Sequence, residues 1–126
     1  MGLICIEGAA YRESGKIYEL GQWAGIVYLT LYKLSLEPLI VAPLQLKKYV
    51  SGKGKNKGKE TILLDVFRNF GEEIRCSDIA DAYVLARIAH DFFHFESIQR
   101  SLFQYQIEVI KKLRHRLNEQ RKKELL

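Results

Sequence analysis

GLICIEG, residues 2–8, is an unbroken apolar run of β-forming residues that ends on a carboxylate, Glu7, and a glycine, Gly8. Continuous apolarity over so few residues suits a buried strand of a parallel sheet. A second such run, EPLIVAP at 37–43, is bracketed by Pro38 and Pro43 and reads as another strand. Between them, GKIYELGQWAGIVYLTLYK and the leucine after it place Ile17, Leu20, Trp23, Ala24, Val27, Leu31 and Leu34 at three- and four-residue steps. That is helical spacing, and the internal glycines suggest a helix that packs closely. Strand, helix, strand implies a right-handed parallel crossover and an α/β layer. Two strands alone make a poor sheet, so further strands are expected from elsewhere.

Beyond residue 43 the pattern is helical. PLQLKKYV starts with Pro43 at a first helical position. SGKGKNKGKE, residues 51–60, has three glycines and no apolar residue to bury, and reads as a loop. ETILLDVFRNFG returns to helical spacing and closes on Gly71 as a C-cap. SDIADAYVLARIAHDFF reads as a helix capped by Ser77 or Asp78. A last helix is expected from about Ser97, with Leu102, Tyr105, Val109, Leu113 and Leu117 on one stripe. Its charged final turns should project or fray.

The 126 residues suffice for one modest core, and 48% hydrophobic with 28% charged residues is a soluble globular profile. No apolar run is long enough for a membrane span, and the first residues lack the basic start of a signal peptide. Cys5 and Cys76 stand alone in apolar surroundings and read as buried, reduced thiols of a cytoplasmic protein. The net charge of +5 is unevenly spread. Residues 47–59 carry six lysines and no acid, and residues 111–126 carry seven basic residues against Glu119 and Glu124. The remainder is net acidic. Two basic appendages on an acidic body suit a polyanion partner, since phosphate neutralisation supplies most non-specific nucleic-acid affinity. A solvated lysine loop and a solubilising tail is the plainer alternative.

Three constellations could carry chemistry. Asp78 and Asp81, three apart on a helix, share a face. A strand-end Glu7 lies where open α/β sheets place their sites. Three converging carboxylates would suit Mg²⁺ or Mn²⁺; taken alone, first-turn acids simply favour the helix dipole. In the lysine-glycine segment, Lys47, Lys48, Lys53, Lys55, Lys57 and Lys59 could contact a nucleic-acid backbone. It lacks the Gly-Lys-Ser/Thr ending of a nucleotide-binding P-loop. Finally, HDFFH sets His90 and His94 at the spacing by which two histidines share a metal, with Asp91 where zinc proteases keep a glutamate. Aspartate is short for that role and no third ligand stands out downstream, so His90 is read as ending the core face and favouring the helix C-terminus.

Together these pieces resemble the RuvC family of Holliday-junction resolvases, over roughly residues 3–90. LICIEG is similar to the family strand that ends in its second catalytic acid. APLQLKKYVSGKGKNKGKE is similar to the segment in which lysines flank a G-x-G turn. SDIADAYVLARIAH is similar to the D-x-x-D-A helix that bears the last two acids. The resemblance implies the helix-rich C-terminal portion of an RNase H-like α/β fold, with about two parallel strands and four to five helices. It implies metal-dependent cutting of branched DNA, with Glu7, Asp78 and Asp81 as metal-binding catalytic acids and Mg²⁺, or Mn²⁺, as cofactor. Lys47 or Lys48, and Lys59 with Lys57 competing, match the family's DNA-contacting or catalytic lysines. A homodimer would place two sites on opposite strands of a four-way junction. The family's first strand carries a further catalytic aspartate, and only MGLICI precedes Glu7 here. The expectation is therefore a partial nuclease domain over 1–96, as a fragment or as a truncated or split gene product whose other half supplies the missing strands, acting as a homodimer or in complex with that chain, and a basic helix over 97–126 for oligomerisation or DNA contact. The alternative is a non-catalytic DNA-binding or assembly module derived from the family.

Overall fold

Two short strands, β1 (Ile4–Glu7) and β2 (Pro38–Val41), pair in parallel, with Ile4 opposite Pro38 and Glu7 opposite Val41. The structure is a computed structural model and describes residues 3–8, 16–52 and 59–126. The Gly8 N–H donates to the Val41 carbonyl at 2.7 Å, which carries the ladder one residue past Glu7. A side chain at Gly8 would crowd Ile40, since its Cβ would lie 3.3 Å from the Ile40 Cγ2. Leu39 and Val41 point into the core, while Ile40 and all of β1 are only partly covered. The strands expected to be buried on both faces are therefore packed on one.

The helix α1 (Ile17–Lys33) joins the strands. Its expected stripe does not pack closely. Trp23 is 68% exposed, Leu20 and Val27 are also open, and no atom of the described residues lies within 4 Å of a Cβ built on Gly21 or Gly25. Periodicity reported the helix correctly but not what covers it, because an apolar face is the same in sequence whether its neighbour lies in this chain or another.

The core forms on the other side. It joins Leu39 and Val41 to Leu46, Tyr49 and Val50 of α2 (Pro43–Ser51), Val66 of α3 (Lys59–Phe70) and Ala80, Val84 and Ile88 of α4 (Ser77–Phe93). Phe95 of the short α5 (Phe95–Ile98) and Val109, Ile110 and Leu113 of α6 (Gln104–Glu124) close it. Each such fully buried aliphatic side chain contributes about 1.5–3 kcal/mol before entropy is subtracted. Among the described residues, six α-helices and two parallel strands form the helix-rich α/β arrangement expected.

Local signals explain most boundaries. Pro43 opens α2, and the Gln45 side chain accepts the Ala42 N–H at 3.0 Å. Gly52 ends α2 and Gly71 ends α3, both at positive φ, where a side chain would strain the backbone. Others differ from expectation. Cys76, exposed rather than buried, is the N-cap of α4, with Ser77 already helical. The last helix does not begin at Ser97. A 3₁₀ turn (Gln99–Ser101) and an extended Leu102 and Phe103 intervene, and Gln106 caps the new start by accepting the Phe103 N–H at 3.0 Å. Cys5 is half-buried, and burial pushes its thiol up to about 11, so it stays protonated and inert. Among the described residues no helix is long and apolar enough to cross a membrane.

The free edge of β2 is closed from α6. Arg116 donates to the Ile40 carbonyl, which points away from β1. The outer edge of β1 has no partner strand among the described residues. One edge thus meets a cation, and the other has no strand against it among the described residues.

Candidate functional site

Parallel strands end on the same side of their sheet, and the chain uses that side here. Glu7 is the last residue of β1, and α2 begins two residues after β2 ends. Helix α4 packs against β1, and its first turns bring Asp78 and Asp81 near Glu7. Asp78 and Glu7 are open to solvent, and Asp81 is half-buried. Lys47 of α2, half-buried, acts electrostatically on two of these acids, Glu7 and Asp81.

The electrostatics of the group show its proximity. Burial and then the Asp81 carboxylate raise the Glu7 carboxyl above its ordinary value; Lys47 draws it back, and Asp78 adds a smaller upward push. Burial and then Asp78 raise the Asp81 carboxyl, again opposed by Lys47. The carboxylates repel one another more than Lys47 offsets at Glu7 and Asp81, and a bound cation would relieve that excess. The donor set is all oxygen, which suits a hard divalent ion. The acids do not close on a ligand-ready geometry: among the described residues no three His, Cys, Asp or Glu side chains are near enough to hold a metal. Gathered at one sheet end, they stop short of a preformed cage.

The lysines separate into distinct roles. Lys48, one residue from Lys47, points elsewhere and pairs with Glu108 of α6 at 2.5 Å. Lys53, Lys55 and Lys57 lie outside the described residues, and of Lys59 only its place at the start of α3 is described.

One network was not legible as such. Asp91 is 2% exposed and accepts the Tyr49 hydroxyl at Oδ2, while its Oδ1 meets His90 Nδ1 at 2.9 Å. Burial, with the Asp91 bond and charge acting alongside, holds the Tyr49 phenol far above its ordinary value. The expectation that His90 ends the core face is corrected here: Asp91 does, and the His90 ring is exposed. The available signal was Asp91 itself, a charge in register with Val84 and Ile88 on an apolar helix face.

No family model and no curated protein matches this chain. Among solved structures it is similar to RuvC of Thermus thermophilus, with a TM-score of 0.53 and 27% sequence identity, over 68% of this chain and 52% of that one. The chain thus spans about half the length of that structure. Over the matched part the chain has a RuvC-like α/β fold.

Proposed function

We propose that this chain is part of a Holliday-junction resolvase-like endonuclease that cuts branched DNA by metal-dependent phosphodiester hydrolysis. The observation that supports it most is the grouping of Glu7, Asp78 and Asp81 beside Lys47 at the C-terminal end of the parallel strands. The similarity to RuvC adds to it. In this reading Glu7, Asp78 and Asp81 would hold Mg²⁺ or Mn²⁺, which activates water and neutralises the developing phosphate charge. Lys47 would set the local charge balance, and Lys48, Lys53, Lys55, Lys57 and Lys59 would follow the DNA backbone, with Lys59 or Lys57 nearest the scissile phosphate. The fourth acid of the resemblance would come from a strand laid against the open edge of β1. The exposed apolar face of α1 would be covered by the polypeptide that bears that strand or by a second copy. Residues 97–126 would serve assembly or DNA contact through the exposed basic side of α6.

The second reading, a non-catalytic junction-binding module, is favoured by one observation: the three acids do not close into a ligand cage by themselves. A labelled four-way junction separates the two. The purified chain is incubated with Mg²⁺ or Mn²⁺, alone and with a polypeptide fragment that supplies that strand. Paired cuts that Glu7→Gln and Asp78→Asn abolish support the nuclease. Salt-sensitive binding without cutting, unchanged by Asp78→Asn, supports the module. No junction affinity at low salt overturns both.

A further inference from the structure

The HDFFH segment takes no part in the acid cluster. Along α4, His90 lies twelve residues beyond Asp78, about 18 Å at 1.5 Å per residue. Its geometry nonetheless has the elements of a ligand set. A carboxylate can only accept, so the 2.9 Å contact with Asp91 Oδ1 places the proton of a neutral His90 on Nδ1. That leaves the Nε2 lone pair facing outward from a ring that is 55% exposed. Asp91 cannot turn away, because it is buried and its other oxygen is bound by Tyr49. An imidazole whose inner nitrogen is bonded to a fixed carboxylate is the usual arrangement of a metal-ligating histidine.

His94 supplies the second donor. It sits one turn on, its backbone N–H bonded to the His90 carbonyl at 3.0 Å, and its ring centroid lies 4.7 Å from that of His90. Phe93 backs the His94 ring edge-on at 5.0 Å. Both imidazoles are open to solvent, so an ion has a way in. His94 is also where α4 ends and α5 begins.

We propose that His90 and His94 form a binding site for a borderline divalent transition ion, Zn²⁺ being the physiological type, with Asp91 and Tyr49 as positioning residues. Imidazole nitrogens select such ions over Mg²⁺. Water completes the coordination, since among the described residues no third His, Cys, Asp or Glu reaches the pair. The bound ion ties the last turn of α4 to the start of α5, so its effect is to stiffen that corner rather than to catalyse.

The test is Zn²⁺ titration of the full chain by calorimetry, in a background carrying Glu7→Gln, Asp78→Asn and Asp81→Asn so that only this site is read. One equivalent should bind, undisplaced by excess Mg²⁺, and should raise the melting temperature. His90→Gln and His94→Gln should each weaken binding at least about tenfold, and Tyr49→Phe, which frees Asp91, by about tenfold, as loss of an outer partner does. His115→Gln should leave it unchanged. Circular dichroism confirms that each variant folds. Absence of Zn²⁺ binding, or binding that survives the double His90→Gln, His94→Gln substitution, overturns the site. Neither outcome depends on junction cleavage.

Discussion

Tyr49 of α2 donates its hydroxyl to Asp91 of α4, a bond between two buried residues 42 positions apart. The same Tyr49 accepts Gln106 of α6 at its carbonyl, at 3.4 Å. Three helices therefore meet on one residue. Tyr49→Phe keeps the ring and removes the donor, leaving a buried carboxylate with one partner fewer. The expected loss is about 1–3 kcal/mol, read from urea unfolding at neutral pH. An unchanged midpoint would mean that water replaces the phenol.

Arg116 is expected to stabilise the sheet by closing its β2 edge. Arg116→Met removes a charged donor from the Ile40 carbonyl and should cost about 1.5 kcal/mol by chemical denaturation. The opened edge should also promote self-association, visible by sedimentation as a concentration-dependent increase in mass.

Leu113→Ala tests whether α6 shares one cooperative unit with the rest. Leu113 is fully buried among residues of the common core. A loss of about 2–5 kcal/mol in a single transition is expected. Two transitions, with only the weaker one shifted, would show that α6 unfolds by itself.

The acid cluster should lower stability when no cation is bound. Glu7 and Asp81 have higher pKa values in the fold than in the unfolded chain. Between those two values the native state holds more protons, so stability falls as pH rises, and the loss is complete above the folded values. Below the ordinary carboxylate range both states are protonated and the penalty is absent. Asp81→Asn should therefore melt higher than the parent at pH 7, with the difference shrinking as the pH is lowered into the carboxylate range. Mg²⁺ should narrow the difference at pH 7 by stabilising the parent.

Lys48 is held by Glu108, whose carboxyl the lysine draws below its ordinary value. If Lys48 follows the DNA backbone, Glu108→Gln should release it. Junction affinity at low salt should rise and the logarithmic salt slope should steepen by about one. Thermal stability should not change measurably, since the pair lies at the surface.

Much of the local structure was legible because it is written in short-range chemistry. The apolar runs at β1 and β2, Pro43 at the start of α2, Gly71 at the end of α3 and the D-x-x-D spacing on α4 each act within a few residues. Such signals reach only as far as a helical turn or a strand pleat. The break at Leu102 and Phe103 escaped because the apolar stripe continues across it. It is decided by how α6 docks, with Gln106 both capping its start and reaching Tyr49.

What the sequence determined by itself was the order of elements, the pairing of Asp78 with Asp81 on one helical face and the separation of basic from acidic segments. What only the tertiary structure decided was direction and distance. It turned Lys47 to Glu7 and Asp81 and Lys48 to Glu108, buried Asp91 in place of His90, and set Arg116 against the β2 edge. Adjacent residues on a helix point about 100° apart, so which of two neighbours meets a site depends on how the whole helix is seated. That seating is set by side chains from Leu39 to Leu113 packing in one core, a relation no local stretch contains.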